Sequence, residues 1–130
     1  MTLHELYQLR DLRREITLDA ERLATLEARA THVTQTLTGL PSGSGNAQKL
    51  ERQVAAIADL RELVEKKKER CSLQLVELET YIHTIPDSLT RQIFILRFES
   101  GKSWRRIAIE TRNTEENVRQ ICHRYVRDHP

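Results

Sequence analysis

Apolar residues in the first part of the chain recur with the period of a coiled coil. One row repeats every seven positions, and a second row follows it three residues later. The first row is Leu9, Ile16, Leu23, Ala30 and Leu37, and the second is Leu12, Asp19, Leu26, Val33 and Leu40. Asp19 is the one polar member. This spacing predicts a long helix whose apolar stripe has to be buried.

A second long helix is predicted beyond a stretch rich in glycine and serine. Repeated glycine and serine do not continue a helix, so we expect a turn over residues 39–47. After the turn, one row is Leu50, Ile57, Val64, Cys71, Leu78 and Ile85, and the other is Val54, Arg61, Lys68, Leu75 and Ile82.

The two predicted helices have complementary rows if the chain folds back on itself. When facing residue numbers sum to 87, Leu12 meets Leu75 and Asp19 meets Lys68. A charge pair inside such a seam sets the register of the two helices. We therefore expect an antiparallel hairpin within one chain. The alternative is that the seams pack against another subunit, and dimerisation is expected in either case.

The pattern changes after Ile85. Pro86 ends the second long helix, and either Asp87 or Ser88 can cap a new helix over residues 89–99. Gly101 suits the left-handed position at the end of that helix.

Two further short helices are predicted after Gly101. Ser103 caps the first of them, Thr111–Thr114 forms a turn, and the last helix begins near Thr114. Trp104 is expected to anchor the core of this segment.

The last helix is predicted to have one buried face and one polar face. Its buried stripe consists of Val118, Ile121, Cys122 and Tyr125. The opposite side carries Glu116, Asn117, Arg119, Gln120, His123, Arg124 and Arg127. A short helix, a tight turn and a helix with a basic outer face are the plan of a helix-turn-helix DNA-binding motif. The alternative is a small helical bundle whose outer face is merely soluble.

Charge is distributed unevenly along the chain of 130 residues. The total is +2, but residues 87–130 carry nine Lys and Arg against six Asp and Glu, which gives +3. A basic bias at one end suits an anionic partner such as double-stranded DNA. The sequence has no apolar run long enough to span a membrane and no visible secretory signal. With only two cysteines, Cys71 and Cys122, a reducing cytoplasm is expected.

No arrangement of residues typical of an active site is recognisable. The Gly43–Gly45 segment lacks the lysine and the strand of a nucleotide-binding loop. The histidines and cysteines lack the spacing of metal ligands. We therefore expect no enzyme activity, no metal and no cofactor.

The C-terminal third resembles a known DNA-binding module. Residues 85–127 resemble the region-four helix-turn-helix of bacterial sigma factors. The matching segments are Leu96-Arg97-Phe98, Gly101-Lys102-Ser103-Trp104 leading to Ile107-Ala108, and Val118 leading to His123-Arg124. The whole chain is similar to a family of small phage and prophage regulators of late-gene transcription (RinA/ArpU-like), in which a helical N-terminal part precedes a sigma-like domain.

The resemblance implies a function and a set of contact residues. It implies a transcriptional regulator whose last helix enters the DNA major groove and whose hairpin, residues 1–85, serves oligomerisation or contact with RNA polymerase. Residues 86–130 would form the DNA-binding domain. The implied DNA-binding residues are Asn117, Arg119, Gln120, His123, Arg124, Arg127, Lys102, Arg105, Arg106 and Arg112. The alternative is a module that docks on polymerase or a repressor without reading DNA.

Two positions depart from the family's pattern. Thr111 and Arg112 stand where the family usually has Leu-Gly, and arginine is a poor residue for a positive φ. Asn113 is therefore expected to take the left-handed conformation instead. Arg105 and Arg106 stand where the family favours acidic residues, which makes the first helix of the motif more basic.

Overall fold

The computed structural model describes residues 1–37 and 44–130, and every regular element in those ranges is helical. The helices are α1 (Leu3–Leu37), α2 (Ser44–His83), α3 (Ser88–Phe94), α4 (Trp104–Thr111) and α5 (Glu115–Asp128). A π-helical turn, Ile95–Glu99, continues α3. Helices α1 and α2 form a long antiparallel hairpin that precedes the smaller helices. The predicted all-α fold with an intramolecular hairpin is confirmed.

The boundary of the expected turn needs a correction. Residues 38–43 lie outside the described part of the chain, but helical backbone begins at Ser44. The turn predicted over residues 39–47 is therefore too long at its C-terminal end. Serine and glycine are acceptable at the start of a helix, where the first backbone N–H groups have no intrahelical partner.

The chain divides into two compact units. One consists of Arg14–Glu69, and the other combines Met1–Arg13 with Arg70–Pro130. The second unit thus includes the start of α1 and the end of α2 together with the three short helices. A division at residue 85 into independent domains remains a prediction.

Within the unit Arg14–Glu69, three of the four predicted rows agree with the structure. The described members of the α1 rows and of the first α2 row are buried or half-buried. The second α2 row is wrong by one residue, because Val54 is 56% exposed and Arg61 lies on the surface. The half-buried row is instead Gln53, Leu60 and Lys67. On a helix, the residues three and four positions after a buried residue both lie next to it. The sequence pattern therefore does not decide which of the two is buried.

The polar pair in the seam is Asp19 with Lys67, not with Lys68. Lys67 Nζ lies 2.5 Å from Asp19 Oδ2 and 2.9 Å from Glu15 Oε1. Asp19 is buried, and these hydrogen bonds from Lys67 to Asp19 and Glu15 raise the lysine pKa above its ordinary value. Lys68 lies on the surface, with its Nζ 3.4 Å from Glu65 Oε1. The one-residue shift of the row accounts for the change of partner.

The unit formed by Met1–Arg13 and Arg70–Pro130 contains every aromatic residue of the chain. Ring centroids lie 5.7 Å apart for Tyr7 and Phe98, 5.6 Å for Phe98 and Phe94, and 5.7 Å for Phe94 and Tyr125. Tyr81 packs against both Phe94 and Tyr125. These ring contacts join α1, α2, α3 with its π-helical turn, and α5 into one core. None of the described helices combines the length and apolarity needed to cross a membrane.

The corrected register makes a prediction for two adjacent lysines. Lys67→Ala removes the cation next to the buried Asp19 carboxylate, and an unpaired buried charge is destabilising. We expect it to lower the thermal unfolding midpoint clearly, whereas the control Lys68→Ala has little effect because Lys68 is exposed. Thermal unfolding followed by circular dichroism measures both. A larger effect of Lys68→Ala would contradict the register.

Candidate nucleic-acid interface

Helix α3 begins at a side-chain cap and ends in a wide turn. Of the two expected caps, Asp87 is the one observed: its Oδ2 accepts from Thr90 N at 2.9 Å and from Thr90 Oγ1 at 2.7 Å. These bonds lower the pKa of Asp87. At the other end, Ser100 N donates to Ile95 O at 2.9 Å, the five-residue spacing of a π-helix.

Arg13 from α1 closes the end of the π-helical turn. Its Nη1 donates to Phe98 O at 3.0 Å and also to Glu99 O. Carbonyls at a helix end have no partner within the helix, so a cationic donor there stabilises the end. Gly101 follows with φ +69°, which confirms the left-handed conformation predicted for it.

Arg97, within the π-helical turn, is buried and lies against two aromatic rings. Its guanidinium carbon is 4.3 Å from the Trp104 ring centroid and 5.6 Å from that of Tyr7. Its Nη1 donates to Lys102 O at 3.0 Å. A cation over an aromatic face is attracted by the ring's electrons, most strongly where water is excluded. Arg97 therefore fixes both the loop before α4 and the first residue of that helix.

The turn between α4 and α5 is made by Arg112 in the left-handed conformation. Arg112 has φ +57° and ψ +47°, and it is the one described non-glycine residue with positive φ. Asn113 N donates to Ala108 O at 2.9 Å, and Arg112 N donates to Ile109 O at 3.4 Å. This pair of bonds is the Schellman motif, which requires positive φ at the first residue past the helix.

The expectation that Asn113 would take the positive φ is therefore wrong. Helix α4 ends at Thr111, so the left-handed position falls on the next residue, whatever its type. Asn113 contributes through its side chain, because its Nδ2 donates to Thr111 O at 2.8 Å and its Oδ1 accepts from Asn117 Nδ2 at 2.9 Å.

Helix α5 begins next to Thr114, as predicted, and Thr114 caps it, since Thr114 Oγ1 accepts from Asn117 N at 3.1 Å. Its buried residues are Val118, Cys122 and Val126, while Ile121 and Tyr125 are half-buried. Val126 is missing from the predicted stripe, although it follows Cys122 at the same four-residue interval that separates Cys122 from Val118.

The outer face of α5 forms a shallow open concavity of about 400 Å³. It is lined by Glu116, Arg119, Gln120, His123, Arg124 and Arg127. This surface brings together five of the ten residues expected to contact DNA. The structure does not test whether they do so.

Glu116 organises one end of this concavity. Its Oε1 accepts from Gln120 Nε2 at 3.0 Å, and its Oε2 forms an ion pair with Arg119. Arg127 Nε lies 3.2 Å from the neighbouring Asp128 carboxylate. Within the described ranges, Arg124 has no ion-pair partner.

His123 lies less outward than the helical pattern predicts. It is half-buried, with its ring centroid 6.0 Å from that of Trp104 in an edge-to-face arrangement. Burial lowers the pKa of His123, and the nearby cations Arg119 and Arg97 lower it further. His123 is therefore a neutral ring at neutral pH and contributes no charge to the concavity.

Of the other five predicted contacts, Asn117 lies in the first turn of α5, outside the concavity lining, and the remaining four lie on and around α4. Glu110 Oε1 pairs with Lys102 Nζ at 2.7 Å and with Arg106 Nε at 3.1 Å, and these bonds, the one from Lys102 first, lower the Glu110 pKa. Across the part of the chain that the structure describes, Arg105 and Arg112 have no ion-pair partner. The single Glu110 carboxylate therefore offsets only part of the charge of Lys102 and Arg106, while Arg105 and Arg112 carry unpaired positive charge.

Both cysteines, Cys71 and Cys122, are buried. Burial raises the pKa of Cys122 to about 12, so its thiol stays protonated at neutral pH. In residues 1–37 and 44–130, no three His, Cys, Asp or Glu side chains are grouped so that they could hold a metal ion.

Comparison with known proteins identifies no relative. No family model, no curated protein and no solved structure matches this chain. The resemblance to phage regulators and to sigma region four therefore remains a hypothesis based on the sequence segments given above.

The strained turn leads to a prediction about stability. Glycine adopts positive φ without the steric cost of a Cβ, so Arg112→Gly should stabilise the fold by about 1 kcal/mol. Arg105→Gly is the matched control: it removes the same side chain from an exposed position inside α4 and should destabilise by about 1 kcal/mol. Urea denaturation measures both. Loss of stability in Arg112→Gly would contradict the observed turn.

Proposed function

We propose that the chain is a DNA-binding transcriptional regulator whose α5 enters the major groove of double-stranded DNA. The observation that carries the proposal is the arrangement of α4, the left-handed turn at Arg112 and α5. It leaves most of the outer side of α5 exposed, namely Glu116, Arg119, Gln120, Arg124 and Arg127. In helix-turn-helix proteins the second helix reads base edges while the first crosses the backbone.

The side chains around the α5 concavity have the chemistry that base recognition uses. Arginine donates in bidentate fashion to guanine, and glutamine and asparagine pair with adenine. Arg124 is free to make such a contact. Arg119 and Gln120 would first have to leave Glu116, so their interaction with DNA is an exchange of one acceptor for another.

Positive charge near the turn suits contacts to phosphates. Arg105 and Arg112 have no carboxylate to leave before binding, so we assign them to the DNA backbone. Lys102 and Arg106 share Glu110 and contribute less net attraction. Backbone contacts position a protein on DNA and give the binding its salt dependence.

The sequence resemblance supplies the biological setting of the proposal. It favours a phage-encoded regulator of late genes that acts in the cytoplasm of a bacterial host, with the hairpin used for oligomerisation or polymerase contact. Neither setting nor partner follows from the geometry alone.

One observation favours a second candidate, a module that docks on RNA polymerase or a repressor without reading DNA. Ile109 is 62% exposed on the side of α4 that also carries Arg105. An exposed isoleucine adds nothing to a phosphate contact, whereas it suits a protein partner.

A pair of α5 variants tests the DNA-binding proposal. We expect wild-type protein to bind random-sequence duplex DNA at low salt in fluorescence anisotropy. On random-sequence DNA, Arg119 and Arg124 meet phosphates rather than a preferred base. Arg119→Ala combined with Arg124→Ala should therefore lower the affinity at least about tenfold and make the slope of log affinity against log salt shallower by about 2, since each lost phosphate contact contributes about 0.9.

The control removes two exposed arginines from the hairpin, Arg22→Ala with Arg52→Ala. This double variant has the same net charge as the α5 double variant. A difference in DNA affinity between the two therefore reports the local role of α5. Equal affinity and salt slope in the two double variants would contradict recognition through α5. Failure of the wild type to bind any duplex, together with co-elution with RNA polymerase, would support the second candidate.

A further inference from the structure

The outward side of α2 near its C-terminal end carries two exposed apolar side chains. Leu73 is 66% exposed and Val76 is 62% exposed. They are three residues apart and therefore neighbours on one face of the helix. Cys71 and Leu78, on the opposite face, are buried in the core.

Two unpaired charges flank these apolar residues. Arg70 and Glu77 are exposed and stand seven residues apart, which is two helical turns, so both lie along the same side of Leu73 and Val76. Throughout the described ranges, neither has an ion-pair partner. Two lysines that precede them on α2 do pair: Lys66 lies 3.2 Å from Glu62, and Lys68 lies 3.4 Å from Glu65.

The order of these four residues is self-complementary when the helix is reversed. Along α2 it runs cation, apolar, apolar, anion. If a second α2 lies antiparallel against this face, the two apolar residues meet in the centre and each arginine lies beside the other chain's glutamate. A two-fold axis brings both charge pairs together at once, and two-fold dimers are the commonest protein oligomers.

We propose that Arg70, Leu73, Val76 and Glu77, here called the α2 patch, form a homodimer contact with the α2 patch of a second copy. Arg70 pairs with Glu77 on both sides of the axis, which places the two Leu73 side chains next to the axis and in contact with each other, with Val76 beside them. The proposal does not depend on DNA binding.

The patch is small, and its size sets the expected strength. Stable interfaces bury on the order of 1,200–2,000 Å² in total, more than two apolar residues per copy provide. The dimer is therefore reversible and in exchange with monomer at micromolar concentrations. Since two exposed ion pairs contribute to it, association weakens as salt is raised.

Charge reversal provides a test that does not depend on the folding of any single variant. Arg70→Glu places two carboxylates at each charge contact, and Glu77→Arg places two guanidiniums there. Each variant alone should self-associate at least about tenfold more weakly than wild type, because like charges face each other. An equimolar mixture of the two restores both opposite-charge pairs in a heterodimer and should recover the wild-type association.

Sedimentation velocity over a range of protein concentrations, without DNA, provides the readout. Leu73→Glu should abolish the dimer, while the control Val54→Glu, on an exposed α2 site outside the patch, leaves it unchanged. Circular dichroism verifies that each variant is helical. A wild type that stays monomeric, an unaffected Leu73→Glu variant, or a mixture that associates no better than its components would each overturn the proposal. Those results leave the DNA-binding proposal standing, since its test measures DNA affinity.

Discussion

The C-terminal helices depend on a buried positive charge that has no carboxylate partner among the described residues. Arg97 is 8% exposed, and a charge removed from water is costly unless other interactions replace its hydration. Here the face of Trp104, the ring of Tyr7 and the carbonyl of Lys102 replace part of it, while the buried Arg97 Nε has no hydrogen-bond partner among the described residues. Arginine suits this site better than lysine because its planar, weakly hydrated guanidinium can stack on a ring and donate in its own plane at the same time.

This interaction connects the hairpin to the proposed DNA-binding face. Tyr7 belongs to α1, Arg97 to the π-helical turn and Trp104 to α4, so one side chain holds three elements of the same compact unit. Trp104 in turn contacts His123 of α5. The orientation of the α5 concavity therefore rests on contacts that begin at the first turns of α1. Joined through the α2 patch, two such units would carry two α5 helices, as two half-sites on DNA would require.

Local signals predicted much of this structure. The heptad rows predicted both long helices and the hairpin. Ser103 was expected to cap α4, and α5 was expected to begin near Thr114, and both expectations are confirmed. Gly101 has the conformation expected of it. These features depend on a few neighbouring residues, whose chemistry is visible in sequence.

Features that depend on distant contacts or on the precise rotation of a helix were missed. Within Arg14–Glu69 the seam of α2 is rotated by one residue from the predicted row, so Lys67 and not Lys68 is the partner of Asp19. Further along the same row, Leu75 and Ile82 are half-buried and buried, as predicted. Arg112 takes the left-handed position because of where α4 ends. No local sequence pattern predicts that Arg97 is buried, because one of the rings it contacts, that of Tyr7, comes from the other end of the chain. The ten residues expected to contact DNA all lie in the unit formed by Met1–Arg13 and Arg70–Pro130, and their role in DNA binding remains a hypothesis.

A double-mutant cycle between Arg97 and Trp104 tests the central claim most directly. Arg97→Met and Trp104→Leu keep apolar volume, and the free energy of unfolding of both single variants and of the double variant is measured in urea. If the guanidinium–indole contact organises the unit, the coupling energy should be about 1–2 kcal/mol. Effects that add to within about 0.3 kcal/mol would contradict the account, because independent sites behave in that way.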